Sequence, residues 1–304
     1  MKYCVPYYKN FRYNANINEV ILNYNDYRDS IIDEIIKQNW NEDQRIIIDA
    51  RLGGTEEIIP ILKMCQKNHN NLVIRIDIIQ NDFMIALKEA DIPFFFANHS
   101  NTADEIYGLI KRGVSDVYIT ESLAFNIAEV GLYCKNKGIN VRVIPNIAQY
   151  KPGFKNEIPD PCKFFIRPED VELYAPYVDV FEIIAPDDRL SVIYEIYRNE
   201  QWIGDLKTLI VGLEDNFYNS GLIPYFGTER LKCRQKCMQE KCNLCLQMKE
   251  LADRFNKNQL EITREKQDWK YETESYKEAV RIAEKTTSNN NDEISEEQGI
   301  PEDN

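Results

Sequence analysis

The stretch Arg45-Ile-Ile-Ile-Asp-Ala-Arg-Leu52, followed by Gly53-Gly-Thr55, shows the pattern that repeats along most of this chain. Its β-branched run predicts a strand, its glycines predict a turn, and its threonine is a suitable N-cap for a helix. Similar runs alternate with amphipathic helical stretches along the chain. Predicted strands cover Val20–Tyr24, Arg45–Leu52, Leu72–Ile78, Pro93–Asn98, Val117–Thr120, Val141–Ile144, Lys163–Ile166 and Val180–Ile184. Predicted helices cover 29–40, 81–91, 102–112, 122–137 and 190–197, with others starting after Thr55 and at Pro168.

Eight strands that alternate with helices predict an α/β fold with a parallel sheet covered by helices. A closed (β/α)8 TIM-like barrel fits this count, although such barrels usually have ~250 residues. An open doubly wound sheet is the alternative, weakened because no G-x-G-x-x-G follows the first strand. We expect a barrel domain over residues 1–200, a Cys-rich segment over 201–256, and a charged helix with a disordered acidic tail over 257–304.

Charged residues recur in one phase of the predicted strands, mostly near their ends. Catalytic residues of such barrels come from the carboxyl ends of the strands, so we expect a polar pocket there. The candidate catalytic residues are Asp49, Asp77, Glu121 and Glu182, and the candidate substrate contacts are Arg51, Arg75, Asn98, His99, Asn146 and Arg167. The arginines favour an anionic ligand. The alternative is a set of paired ions that fills the barrel interior. His69 is expected in a solvated turn.

Half of the 8 cysteines lie in one C-x3-C-x4-C-x2-C segment: Cys233, Cys237, Cys242 and Cys245. Four thiolates this close could hold a tetrahedral zinc or an iron–sulfur cluster, and spacing alone leaves both open. Neighbouring lysines and an arginine would lower the pKa values of these thiols. A disulfide pair or idle cysteines are the disfavoured alternatives. Cys4, Cys65, Cys134 and Cys162 are expected to be small buried residues.

The bulk composition excludes several classes of protein. A net charge of -13 argues against attraction of the whole protein to phosphate backbones. The N-terminus lacks the apolar region of a signal peptide, and no apolar run could span a bilayer, so we expect a cytoplasmic protein without membrane contact. The motifs G-x-S-x-G, H-E-x-x-H and the P-loop are absent. Residues 261–285 could meet a protein partner, and the composition from Thr286 onward favours disorder.

The stretch Arg167-Pro-Glu-Asp-Val-Glu-Leu-Tyr-Ala-Pro-Tyr-Val-Asp-Val-Phe-Glu-Ile-Ile184, followed by Asp188-Arg189 and Tyr194-Glu-Ile-Tyr-Arg198, resembles the barrel end of the U32 peptidase family. Residues 92–123 and the late cysteine cluster are also similar, so the resemblance covers roughly 45–245. It implies a TIM-like barrel with a [4Fe-4S] cluster on the four clustered cysteines. Relatives of this kind resemble oxygen-independent hydroxylation factors for RNA bases or quinone precursors, and others are collagenase-like. The chain departs from the family in reading Glu121-Ser-Leu123 for the usual Arg-Glu-Leu.

Three functional hypotheses follow. The first is a U32-like iron–sulfur enzyme that acts on a small anionic or RNA-related substrate by hydroxylation-type chemistry. The second is a non-catalytic scaffold with a structural zinc and a protein partner bound through residues 261–304. The third is a peptidase, which has no nucleophile–base pair in the sequence to support it.

Overall fold

The computed structural model of the chain describes residues 1–9, 11, 13, 16–28, 30–31, 40–100, 102–119, 127–148, 165–202, 204–213, 218–219 and 250. Within these residues, nine strands form one sheet in which every pairing is parallel. The strands are β1 Lys2–Pro6, β2 Glu19–Asn23, β3 Arg45–Asp49, β4 Leu72–Ile76, β5 Phe94–Phe96, β6 His99–Ser100, β7 Asp116–Ile119, β8 Asn140–Val143 and β9 Val180–Glu182. A separate antiparallel pair joins β10 Gly204–Asp205 to β11 Tyr218–Asn219.

The sheet curls strongly. Its strand order is β5-β4-β3-β2-β1-β9-β8-β7-β6, so its two outermost strands are consecutive in the chain, separated only by Ala97 and Asn98. In addition, the Ser115 N–H, just before β7, donates to the Phe94 carbonyl at 3.0 Å. The parallel sheet is therefore curled into a barrel-like shape. The predicted α/β class is confirmed.

Helices follow most strands, as the alternating pattern predicts. They are α1 Tyr24–Tyr27, α2 Ile59–Asn68, α3 Asn81–Glu89, α4 Ala103–Lys111, α5 Ile127–Asn136, α6 Val171–Tyr174 and α7 Asp187–Arg198, with 3-10 turns at Glu56–Ile58, Pro168–Asp170 and Leu206–Thr208. Helix α4 begins with a capping box, in which the Thr102 hydroxyl accepts from the Glu105 N–H and the Glu105 carboxylate accepts from the Thr102 N–H. Gly113, at φ 78°, follows its end.

The core lies between the strands and these helices. All five residues of β4 are buried, as expected for a parallel strand covered on both faces. Gly131 allows α5 to pack closely against the backbone at Tyr177, because an added β-carbon would lie only 2.5 Å from the Tyr177 carbonyl oxygen. Within the part of the chain described here, no helix is long and apolar enough to cross a bilayer.

The structure differs from the strand predictions at two places. Strand β1 was missed, because Lys2-Tyr-Cys-Val-Pro6 is short and ends in proline, which usually disfavours strands. Conversely, Phe165 and Ile166, the described half of the predicted Lys163–Ile166 strand, lie outside the sheet. Phe165 and Ile166 are nevertheless buried in the core. The Ile166 N–H donates to the Pro145 carbonyl at 2.9 Å, which holds this segment beside the end of β8.

Other predictions shift at their edges or lie outside the described residues. Thr55 occupies an N-cap position, but its side chain makes no capping hydrogen bond. Most of the predicted 29–40 helix and the first turn of the 122–137 helix are outside the described residues. The Cys-rich segment and the charged tail also lie outside them, and the predicted domain boundaries stay a prediction.

Candidate ligand site at the carboxyl ends of the strands

A buried arginine links its own strand to three others near their carboxyl ends. The Arg75 guanidinium, from β4, donates through Nη2 to Asp49 Oδ2 at 2.5 Å and through Nη1 to Glu182 Oε1 at 3.0 Å. The same Nη1 donates to the Tyr118 hydroxyl at 3.1 Å, and that hydroxyl donates to Glu182 Oε2. Asp49 and Arg75 are directly paired in the sheet register, which explains their contact. With Arg51, these residues form what we call the carboxyl-end cluster: Asp49, Arg51, Arg75, Tyr118 and Glu182.

Arg51 carries this cluster to the surface. It lies two residues beyond Asp49, and its Nε and Nη2 donate to the Asp49 carboxylate at 2.9 and 2.8 Å. Its side chain is 45% exposed, whereas that of Asp49 is 8% exposed. A guanidinium that is fixed by one carboxylate and still reaches solvent is well placed to bind an anion.

His99, at the start of β6, borders the cluster. Its ring stacks on the Tyr118 ring, with centroids 5.1 Å apart and planes 15° from parallel. Its Nδ1 is buried and has no hydrogen-bond partner among the described residues. Burial lowers the pKa of His99, and the charges of Arg75 and Arg51 lower it further, against the opposing effect of Glu182. The imidazole is therefore neutral at neutral pH and able to accept a proton.

The carboxylates of the cluster are ionised. Burial alone would raise the pKa of Glu182, but the charges of Arg75 and Arg142 and the hydrogen bond from Tyr118 outweigh it and hold that pKa below its ordinary value. The pKa of Asp49 is lowered in the same way, with Arg51 and Arg75 overcoming burial. Burial raises the pKa of Tyr118, so its hydroxyl stays protonated. At neutral pH the cluster thus holds two carboxylates against two guanidinium groups.

A second charged cluster, which sequence reasoning missed, lies at the amino ends of the strands. We call Glu19, Arg45, Asp116 and Arg142 the amino-end cluster. Arg45 forms a two-pronged ion pair with Asp116, with both N–O distances at 2.6 Å. Arg142 donates to Glu19 at 2.6 Å and to Asp116 at 3.1 Å, and its side chain is 0% exposed.

The two clusters touch through Arg142. Its Nη2 lies 3.7 Å from Glu182 Oε2, and its guanidinium carbon lies 5.1 Å from the centroid of the Phe95 ring. The signal that could have found the amino-end cluster is the charge that opens a β-branched run. Glu19 and Arg45 each begin a strand in this way, and Asp116 begins another.

The remaining predicted site residues make local contacts. Asp77 accepts from the Ile79 N–H at 3.2 Å, and Asn98 accepts from the Ile78 N–H at 2.9 Å. Asn146 exchanges two hydrogen bonds with the backbone of Ile184. Arg167 is buried against Asp170 at 2.7 Å. Asp77, Asn98 and Asn146 shape loops at the strand ends, and Arg167 precedes a 3-10 turn. Glu121 and the four clustered cysteines lie outside the described residues.

His69 and the scattered cysteines can be compared with expectation directly. The predicted solvation of His69 is wrong, because the residue is 8% exposed and its Nε2 lies 2.7 Å from the Gln44 carbonyl oxygen. The predicted burial of Cys4, Cys65 and Cys134 is confirmed, while Cys162 lies outside the described residues. Among the residues that the structure describes, no group of His, Cys, Asp and Glu could hold a metal ion.

Comparison with known proteins gives one informative relative. The chain is 33% identical over 148 residues to an uncharacterized protease of Methanocaldococcus jannaschii. This match is consistent with the predicted divergent member of the U32 family. The match covers 45% of this chain and 39% of the relative, so the chain spans well under half the length of the protein it matches.

Two other comparisons add little. No family model matches the chain. Among solved structures, a cube-shaped, highly porous protein cage designed by fusing symmetric oligomeric domains aligns with 93% of this chain and 84% of its own, at 11% identity. Its TM-score of 0.35 is too low to support any argument about fold or function.

Proposed function

We propose that the curled sheet is a closed barrel of eight parallel strands, in which β5 and β6 are two halves of one strand. Two observations support closure: the two outermost strands are consecutive in the chain, and Ser115 donates to Phe94 across the remaining gap. In a closed barrel the carboxyl-end cluster lies at the face where catalytic residues of such folds occur.

We propose further that the protein is a U32-like iron–sulfur enzyme that binds a small anionic substrate at this face. The observation that carries the proposal is the half-exposed Arg51 guanidinium, fixed by Asp49 and continuous with the buried Arg75. Arg51 would contact the anion, and Asp49 would orient Arg51. The neutral imidazole of His99 would accept a proton from the substrate. The protein would act in the cytoplasm, and RNA-related anions are within the proposed substrate class.

The four clustered cysteines would hold the cofactor. Their donor chemistry fits a [4Fe-4S] cluster, which takes one thiolate per iron, and equally a tetrahedral zinc. When bound, an iron–sulfur cluster supplies one-electron chemistry of the kind that oxygen-independent hydroxylation requires. The residues at the strand ends would bind and orient the substrate and move its protons.

Metal analysis tests the cofactor. Anaerobically purified protein should be brown and contain about four irons per chain, one for each of the four cysteine ligands of a cubane. Cys242→Ser with Cys245→Ser should lose the colour and the iron, whereas Cys134→Ala, which removes a buried thiol on α5, should keep both. Stoichiometric zinc without iron would overturn the iron–sulfur assignment.

A non-catalytic scaffold is the second candidate, because the interior charges pair with one another. Four carboxylates (Glu19, Asp49, Asp116 and Glu182) face four guanidinium groups (Arg45, Arg51, Arg75 and Arg142), so these eight residues carry no net charge. A scaffold would bind zinc and recruit a protein through residues 261–304. Deleting that segment should then abolish co-purification of the partner without changing the metal content.

Cleavage of casein by the purified protein, lost in Arg51→Gln, would instead support the peptidase that the relative's name suggests.

A further inference from the structure

A second arginine lies against the loop that carries Arg51, on the loop after the neighbouring strand. Arg28 follows α1, which begins directly after β2, and it is exposed. Its Nε and Nη2 both donate to Asn25 Oδ1, at 3.1 and 2.7 Å. The guanidinium is therefore held in place by a neutral amide rather than by a carboxylate, and its positive charge is not neutralised by an ion pair with any described residue.

Gly53 brings this guanidinium onto the loop that carries Arg51. A β-carbon at Gly53, two residues after Arg51, would lie 3.0 Å from Arg28 Nη2 and 2.9 Å from Asn25 Oδ1. The φ angle of Gly53 is also +90°, which disfavours other residues. The two loops therefore pack against each other at Gly53, two residues after Arg51.

Both guanidinium groups present the same unused nitrogen. Asp49 occupies Nε and Nη2 of Arg51, and Asn25 occupies Nε and Nη2 of Arg28. In each case Nη1 has no partner within the described ranges, so two oriented N–H donor pairs come from two adjacent loops. A carboxylate has its two oxygens in one plane, whereas a phosphate monoester offers three oxygens in different directions and carries nearly two negative charges.

We propose that Arg28 and Arg51 together bind the phosphate group of a small phosphate monoester. This inference rests on the proposed anion site and specifies its ligand class. Leu52 and Ile79, which are 72% and 80% exposed, flank the site on the loops after β3 and β4. Gln80 ties these two loops together by donating to the Ala50 and Gly54 carbonyls at 3.2 and 2.8 Å. The organic part of the ligand would contact this apolar rim.

Calorimetry with three probes that share a phenyl ring tests the proposal, above the second phosphate pKa of about 6. Phenyl phosphate is the dianionic monoester, benzoate is a carboxylate, and methyl phenyl phosphate is a diester of the kind found in nucleic acids. The wild-type chain should bind phenyl phosphate at least about tenfold more tightly than either of the others, since one charge-assisted contact is worth about that factor.

The variants separate the two arginines. Arg28→Gln should weaken phenyl phosphate binding about tenfold and change benzoate binding much less, while Arg51→Gln should weaken both. Asn25→Ala keeps the Arg28 charge but frees its side chain, so its loss should be intermediate. Arg112→Gln is the matched control, because Arg112 is an exposed arginine at the end of α4 with its guanidinium carbon 5.8 Å from the centroid of the Phe96 ring. Thermal unfolding by circular dichroism verifies that each variant folds.

The outcomes distinguish the two proposals. If Arg51→Gln weakens binding and Arg28→Gln does not, the phosphate inference is wrong and the anion site stands. If neither variant changes the binding of any probe, the anion site itself is wrong. Binding of the diester as tight as that of the monoester would overturn the monoester assignment in favour of a nucleic-acid-type phosphate.

Discussion

The amino-end and carboxyl-end clusters use the same residue types for different purposes. In the amino-end cluster, Arg142 is 0% exposed and Arg45 is 11% exposed, and both are committed to Glu19 and Asp116. In the carboxyl-end cluster, the network ends in Arg51, which is 45% exposed and whose Nη1 has no hydrogen-bond partner among the residues that the structure describes. Ion pairing therefore buries the charges at the amino ends of the strands, whereas at the carboxyl ends it leaves the Arg51 guanidinium partly exposed to solvent.

The largest loss of stability is expected from a substitution in the amino-end cluster. Arg142→Met would remove the shortest ion-pair contact of Glu19 and one of the partners of Asp116, leaving buried carboxylates poorly compensated. Breaking a buried pair by removing one partner typically costs about 3–5 kcal/mol of unfolding free energy. Urea unfolding measures the change. A loss below about 1 kcal/mol, the range of exposed pairs, would show that the amino-end cluster does not behave as a buried network.

The second largest effect is expected from acid, which should destabilise the amino-end cluster. Burial would raise the pKa of Asp116, but Arg45 and Arg142 overcome it and lower that pKa from 3.8 to about 2. Because the folded-state pKa is the lower one, the ionised carboxylate stabilises the fold above about pH 4, and this contribution is lost as the pH falls towards about 2. At about 1.4 kcal/mol per pKa unit, the shift corresponds to about 2 kcal/mol.

The variant Asp116→Asn isolates this contribution. Its unfolding free energy should depend less on pH than that of the wild-type chain between about pH 4 and pH 2, since the titrating group is gone. Urea unfolding at several pH values provides the comparison. An unchanged pH dependence would mean that Asp116 does not titrate with a lowered pKa in the folded protein.

The smallest effect on stability is expected from a substitution in the carboxyl-end cluster. Arg51→Gln removes a half-exposed ion pair with Asp49, and such pairs contribute about 0–1 kcal/mol. Arg75 still compensates Asp49 in this variant. The same variant should weaken anion binding strongly. Substitutions in the amino-end cluster should therefore mainly reduce stability, whereas substitution of Arg51 should mainly reduce binding. A large loss of stability in Arg51→Gln would mean that this arginine is structural.

Much of the sheet could be predicted from local sequence. The runs in β3 and β4 are β-branched and bounded by turn residues, and both strands were found. Asp49, Arg75 and Glu182 were found because a charge inside an apolar strand is conspicuous. Strand β1 was missed because its five residues carry a proline and no clear period, although it fills the place between β2 and β9.

The amino-end cluster could not be predicted from local pattern. A charge at the first position of a strand, as at Glu19, Arg45 and Asp116, usually faces solvent. Here the sheet curls, so Arg45 of β3 reaches Asp116 of β7, 71 residues away in the chain. Arg28 was missed for a similar reason, because its relation to Arg51 depends on the packing of two loops around Gly53 rather than on any spacing in the sequence.

Binding of an anion at the carboxyl-end cluster can be measured with the two histidines of the chain as reporters. Ring-proton NMR titration of His99 should give a pKa below the ordinary value, because of its burial and its proximity to Arg75 and Arg51. Saturating phenyl phosphate should raise the pKa of His99, since a bound anion stabilises the imidazolium, and should leave the His69 signals unchanged. An unchanged His99 titration, with phenyl phosphate bound by calorimetry, would contradict the account.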